Sequence, residues 1–102
     1  MKLVCLMLAV ASLGASGAGA DDAPMLLEQH KCNACHDETD AKTGPSYVDI
    51  AQQYRRDPRA AARLAAAIRN GGTHGGLWHM PPHPEISDAE AAVMIRAILS
   101  KN

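Results

Sequence analysis

The sequence predicts an all-α domain built from four short helices, and two observations support this fold class. Apolar residues recur at three- and four-residue spacing in four segments, each bounded by residues that start or stop helices. No segment shows the alternation of apolar and polar residues that is typical of a half-buried strand. With 102 residues, the chain is long enough for one small domain.

The first two predicted helices occupy residues 22–31 and 46–56. Asp21 or Asp22 can cap the first helix, and Pro24 lies near its start. The second helix carries apolar residues at i, i+3, i+4 and i+7 spacing, namely Tyr47, Ile50, Ala51 and Tyr54.

The last two predicted helices have clearer boundary signals. Asp57 and Pro58 predict a cap followed by proline at the first helical position, and the third helix then runs to Gly71. Ser87, with Glu90 three residues later, predicts a capping box that opens the fourth helix. Its core-facing residues are Ala91, Met94 or Ile95, Ile98 and Leu99.

Residues 71–86, between the third and fourth helices, contain four glycines and three prolines. This composition predicts a loop without regular structure. A loop of about 15 residues in so small a domain is usually functional.

Residues 1–20 are predicted to be a secretory signal peptide, which leaves residues 21–102 as the mature domain. Lys2 precedes an apolar span, and small residues lead to a cleavage site after Ala20. The span is shorter than the roughly 20 apolar residues that cross a bilayer, so no membrane anchor is expected. Cys5 leaves with the signal peptide.

The mature chain would carry 9 basic and 11 acidic side chains, because the signal peptide holds one of the 10 basic residues of the whole chain. A net charge of −2 indicates neither a nucleic-acid-binding surface nor a polybasic patch that binds membranes. The chain has no phenylalanine, and much of its apolar content is alanine. Domains this small often need a staple, a metal or a cofactor to complete the core.

The motif Cys32-Asn33-Ala34-Cys35-His36 is the attachment signature of c-type haem. The two thiols would form thioethers with the two porphyrin vinyl groups, and His36 would bind the iron through Nε2. Such a haem would also supply the apolar bulk that the core lacks. Three other interpretations stay open: a redox dithiol, a zinc site that includes loop histidines, and a structural disulfide between Cys32 and Cys35.

The second axial position on the iron has several candidate ligands. Met80 is favoured because it lies in the long loop, 44 residues beyond His36, and is followed by two prolines that stiffen the backbone. A loop histidine or an open iron site is the alternative. The full set of candidates is Met25, Met80, Met94, His30, His74, His79 and His83.

Residues 22–101 resemble the small bacterial class I cytochromes c, specifically the cytochrome c-551/c-552 group. The resemblance rests on an ordered set of motifs: CNACH, TGPSY, IRNGG, MPP and the SDAE that opens the last helix. It implies the class I cytochrome c fold, with four short helices around one covalently bound haem c and its iron.

The resemblance also implies individual roles. Cys32 and Cys35 would hold the haem, His36 and Met80 would be the axial iron ligands, and the Pro45 carbonyl would accept a hydrogen bond from His36 Nδ1. Three side chains would line the haem pocket: Leu64, Ile68 and Trp78. His79 and His83 stand where group members usually have a proline and often an asparagine.

The expected function is periplasmic electron transfer by a monomer that meets its redox partner proteins transiently, without enzymatic activity. We expect docking at a haem edge near Ala34, Leu77 and Trp78. The sequence favours a solvated helix face over a partner-steering patch for five clustered arginines: Arg55, Arg56, Arg59, Arg63 and Arg69. The alternatives are a haem subunit permanently bound to a dehydrogenase and a ligand-sensing haem protein.

Overall fold

The computed structural model describes residues 19–74 and 78–102. Most of the predicted signal peptide lies outside these ranges, and its assignment stays a prediction. Within them, the chain forms four α-helices: α1 (Ala23–Gln29), α2 (Tyr47–Tyr54), α3 (Ala60–Asn70) and α4 (Asp88–Leu99). The predicted mainly helical fold class is confirmed. No helix among the described residues is long and apolar enough to cross a membrane.

The observed starts of α4 and α3 show which sequence signals predicted a helix boundary correctly. Ser87 Oγ accepts a hydrogen bond from the Glu90 backbone N–H at 3.1 Å, so the predicted capping box is present. The predicted start of α3 was wrong. The Asp57 carboxylate accepts from the Arg59 N–H at 2.8 Å and forms a turn around Pro58, so the helix begins two residues later.

The segment 71–86 contains regular structure that the sequence did not predict. Strands β1 (Gly72–His74) and β2 (Trp78–Met80) pair antiparallel, with Gly72 opposite Met80 and Thr73 opposite His79. The prediction of a wholly irregular loop was therefore wrong. Three-residue strands are too short to show alternation, and their pairing depends on residues that are not neighbours in the chain.

Helix α4 is the centre of the core and packs against α1, α2 and α3. Met94 is 1% exposed and Ile95 is 2% exposed, so both belong to the core. Leu64, Ile68 and Cys32 are half-buried, and each packs against this cluster.

Candidate haem-attachment site

The attachment motif is a tight turn that follows α1. Lys31 adopts the left-handed conformation with φ 60°, which ends the helix and reverses the chain. A 3₁₀ turn over Cys32–Ala34 follows, and the Cys32 carbonyl accepts from the N–H groups of Cys35 at 3.2 Å and His36 at 2.9 Å. Both cysteines are half-buried free thiols, and His36 is adjacent to them on the same turn.

The His36 ring is fixed by a hydrogen bond from Nδ1 to the Pro45 carbonyl oxygen at 2.6 Å. A carbonyl oxygen can only accept, so Nδ1 carries the proton. In the neutral ring Nε2 then carries the lone pair, which is the tautomer that can bind a metal ion through Nε2.

Gly44 makes this arrangement possible, although sequence reasoning gave it no role. It is buried, and its N–H donates to the Cys35 carbonyl at 2.7 Å. A Cβ at this position would lie 2.7 Å from His36 Cε1 and 3.0 Å from His36 Nδ1. Only glycine lets the backbone pass this close to the imidazole, and its place before Pro45 was the available signal.

Tyr47 supports the other side of the attachment turn. Its ring stacks on the His36 ring with centroids 5.7 Å apart and an interplanar angle of 28°. Its hydroxyl donates to Asn33 Oδ1 at 2.6 Å, and Asn33 Nδ2 donates to Glu28 at 3.0 Å. Lys42 Nζ donates to the Asn33 carbonyl at 3.0 Å. Sequence reasoning treated Asn33 only as a spacer and missed this network, which only the folded chain assembles.

Burial affects the ionisation of two groups in the site. It raises the pKa of Tyr47 strongly, so its hydroxyl keeps the proton that it donates to Asn33. Burial also raises the pKa of the Cys32 thiol above its ordinary value of 9.0. This thiol is therefore neutral at pH 7.

Met80 lies at the end of β2 and is half-buried. Gly71 adopts φ 63°, and a Cβ there would collide with the Met80 carbonyl oxygen and lie 2.7 Å from Pro82 N. The His83 N–H donates to the Ile68 carbonyl at 2.8 Å. The end of α3 therefore holds the segment that carries Met80.

The other candidate ligands have different surroundings. His30 Nε2 donates to Glu90 at 3.2 Å, and His83 Nδ1 donates to Glu85 at 3.2 Å. His79 is exposed and lies 3.4 Å from the Thr73 hydroxyl, measured from Nδ1 to Oγ1. Met25 is 58% exposed, whereas Met94 is enclosed in the core.

The zinc interpretation of the cysteine motif requires a cluster of metal-binding side chains. In the described ranges, no three His, Cys, Asp or Glu side chains form a group that could hold a metal ion, so the zinc interpretation gains no support.

The backbone of Trp78 pairs with that of His74. Leu77 and the Trp78 side chain lie outside the described part of the chain. The predicted haem contact of Trp78 and the predicted docking role of Leu77 therefore stay predictions.

Comparison with known proteins identifies the family. No protein-family model matches the chain. Cytochrome c-551 from Pseudomonas aeruginosa is 37% identical over 98 residues, which cover 93% of this chain and 91% of the relative. The chain belongs to the cytochrome c-551/c-552 group. Cytochrome c-552 from Hydrogenobacter thermophilus is 40% identical over 77 residues, covering 74% of this cytochrome and 76% of the relative.

The fold comparison agrees with the family. The crystal structure of wild-type cytochrome c552 from Nitrosomonas europaea superimposes with a TM-score of 0.73 at 34% identity. The match covers 78% of this cytochrome and 99% of that chain. The predicted class I cytochrome c fold is therefore confirmed, and the protein is a small electron-transfer cytochrome with one covalently bound haem c.

The donor set in the structure fits this group. Two free thiols separated by two residues match the two thioethers that haem c requires. The Pro45 carbonyl accepts from Nδ1 of the adjacent imidazole, so in the neutral ring the lone pair lies on Nε2. Leu64 and Ile68 are partly buried apolar side chains packed against the core.

Proposed function

We propose that this cytochrome carries single electrons between partner proteins in the periplasm and has no enzymatic activity of its own. The observation that carries the proposal is the His36–Pro45 hydrogen bond, which sets the tautomer and orientation of an iron ligand. Haem, when bound, supplies a one-electron ferric/ferrous couple. The task of the chain is to hold it with little rearrangement between the two states.

The proposed ligand set assigns each chemical role to a named side chain. Cys32 and Cys35 would form the thioethers, and His36 Nε2 and the Met80 sulfur would bind the iron. Methionine–histidine ligation would raise the reduction potential, which favours the ferrous state. With both side chains bound, the iron would have no position for a substrate, which supports a carrier and not an enzyme.

The pocket residues are proposed to exclude water from the site. Leu64 and Ile68 lie on α3 at the edge of the core, and Trp78 is proposed to lie beside the haem. Pro45 and Gly44 keep the His36 ring from turning, because the Pro45 carbonyl accepts a hydrogen bond from Nδ1 and Gly44 lies close to the ring.

Export is part of the proposal: residues 1–20 act as a signal peptide and residues 21–102 form the mono-haem domain. The single basic residue, the apolar span and the small residues before the cleavage site support this assignment. Sequencing the N-terminus of the mature periplasmic protein tests it. A mature chain that keeps residues 1–20 would contradict it.

Contacts with redox partners are proposed to be transient, with the protein itself a monomer. Ala34 is exposed on the attachment turn, which is consistent with docking at a nearby haem edge. Transient redox interfaces are small, typically below about 1,200 Å² in total. Gel filtration of the native periplasmic extract separates a free carrier from a subunit that elutes with a larger complex.

The axial methionine is tested by Met80→Ala in the haem-loaded protein. We expect the weak near-red absorption band of methionine-ligated ferric haem to disappear and the reduced protein to bind carbon monoxide at neutral pH. Met25→Ala is the matched control, because this methionine is 58% exposed on α1. Loss of the band only in the Met25 variant, or its survival in the Met80 variant, would move the ligand assignment elsewhere.

A further inference from the structure

Positive charge is concentrated at the corner between α2 and α3. Residues 52–70 contain five arginines and one aspartate, a net charge of +4, whereas the whole chain has a net charge of −1. The rest of the chain therefore carries a net charge of −5. We call four exposed members of this set the arginine patch: Arg55, Arg56, Arg59 and Arg63.

The backbone holds these residues close together. Arg55 ends α2, Arg59 precedes the first turn of α3, and the Arg63 N–H donates to the Arg59 carbonyl at 2.9 Å. Asp57 lies among them, and its carboxylate accepts from the Arg59 N–H and pairs with the Arg63 guanidinium at 3.4 Å. Residues 55–63 thus contain four arginines and one carboxylate, and that carboxylate pairs with the Arg63 guanidinium.

Helix stability accounts for only part of the arginine patch. Arg55 caps the end of α2, where the negative end of the helix dipole favours a cation. Arg59 precedes the first turn of α3, where the positive end of the dipole repels it, whereas α4 begins with Asp88 and Glu90 in its first turn. Arg63 pairs with Asp57, and its side chain is still 62% exposed.

A groove of 370 Å³ lies beside the arginine patch. Small side chains and one arginine line the groove, and one end of it reaches the last residues of α3. Its lining consists of Tyr54, Arg63, Ala66, Ala67, Asn70 and Gly71. Since Gly71 is in direct contact with the backbone of Met80 and Pro82, the groove is continuous with the segment that carries the proposed axial ligand.

We propose that the arginine patch and this groove are a docking surface for an acidic redox protein, one that presents carboxylates around an apolar side chain. The carboxylates pair with the guanidinium groups, and the apolar side chain enters the groove over Ala66 and Ala67. A groove of 370 Å³ has room for a protruding side chain, which a protein partner presents and a membrane surface does not. The proposal rests on the electron-transfer function, because docking next to the Met80 segment brings the partner close to the iron.

The kinetic test uses the reduced, haem-loaded protein and hexacyanoferrate(III), an anionic oxidant. At about 0.1 M salt the screening length is about 10 Å, so only charges near the site of electron transfer affect the rate. We expect Arg59→Gln to slow oxidation about twofold and the Arg55→Gln/Arg56→Gln/Arg59→Gln variant to slow it about fivefold. A cationic cobalt(III) phenanthroline complex should show the opposite trend.

Arg96→Gln is the matched control, since it makes the same charge change at an exposed arginine of α4. Equal rates for the Arg59 and Arg96 variants would overturn the proposal. An unchanged absorption spectrum in every variant shows that the iron ligands are intact. Equal oxidation rates with unchanged spectra would therefore contradict the docking surface and leave the ligand assignment untouched.

A binding test with the oxidised protein is independent of electron transfer. The probe is a synthetic peptide in which a leucine is flanked by glutamates, and binding is followed by amide chemical-shift changes. We expect shifts confined to residues 54–71 that disappear in the triple arginine variant. Shifts elsewhere, or binding of phosphatidylglycerol vesicles with no response to the peptide, would overturn the assignment to an acidic protein.

Discussion

His36 and Met80 are held by contacts of different range. His36 Nδ1 donates to a carbonyl only nine residues away, and the ring stacks on Tyr47, which lies in the next helix. Met80 instead depends on the end of α3, where Gly71 contacts its backbone and Ile68 accepts a hydrogen bond from His83. One side of the site is fixed by a local hydrogen-bonded network, and the other by two segments that meet only in the fold.

Because of this difference, we expect substitutions on the two sides of the site to have different effects on the haem. A fault at the His36 side disturbs the turn that carries the two cysteines, so attachment of the haem is at risk. A substitution on the Met80 side leaves this turn intact and alters only the proposed second axial ligand. Four substitution experiments test the contrast, from the largest expected effect to the smallest.

Gly44→Ala should have the largest effect. The new methyl group would lie 2.7 Å from His36 Cε1 in a buried position, where overpacking typically costs about 1–3 kcal/mol. We expect a sharp loss of haem-containing protein, measured as haem-stained yield per cell against total polypeptide. A normal yield with an unchanged spectrum would show that the ring can move aside freely.

Gly71→Ala should disturb only the Met80 side. Gly71 has φ 63° and ψ −158°, a conformation essentially restricted to glycine that costs other residues about 1–3 kcal/mol, and the alanine Cβ must displace the backbone of Met80 and Pro82. We expect covalently attached haem at near-normal yield, with a weakened near-red band and carbon monoxide binding to the reduced protein. If Gly71→Ala instead abolished haem attachment and Gly44→Ala did not, the contrast between the two sides would be reversed.

Tyr47→Phe measures the hydrogen-bonded network without removing the ring that stacks on His36. The Asn33 amide oxygen loses the hydroxyl that donates to it at 2.6 Å, and a part-buried acceptor left without its partner costs about 1–3 kcal/mol. Urea unfolding of the haem-loaded protein should show this loss. Tyr54→Phe, on the same helix, is the control and should change the midpoint little.

The pH dependence of two histidine–carboxylate pairs gives the smallest effect. The hydrogen bond from His30 lowers the pKa of Glu90 below 4.5, and hydrogen bonds from its own backbone N–H and from His83 lower the pKa of Glu85. A lowered folded-state pKa contributes stability above the unfolded-state value, which is lost as the pH falls through the folded-state value.

Glu90→Gln and Glu85→Gln should therefore each flatten the fall in the urea midpoint below about pH 4.5. Glu90 should have the larger effect, because its histidine is 10% exposed and joins α1 to α4, whereas Glu85 pairs with a residue two positions away. Equal slopes for the wild type and both variants would show that neither pair contributes to acid sensitivity.

Much of the architecture followed from short-range signals. The Ser87–Glu90 capping box and the apolar spacing of α4 predicted a helix that the structure contains, since both signals act within one or two turns. The start of α3 was misplaced because Asp57 and Pro58 can form either a helix cap or a turn. The strand pair of Gly72–His74 with Trp78–Met80 was missed because it depends on contacts across the loop.

The sequence by itself determined which groups can attach a haem, because two thiols and an imidazole at this spacing are the signature of c-type attachment. The tertiary structure decided how these groups are held. Asn33 receives a hydrogen bond from Tyr47, and Gly44 packs on His36, because folding brings chain segments together that no local pattern relates. It also decided that Gly71 lies against the Met80 backbone, since close approach of two backbones is a property of packing and not of either segment.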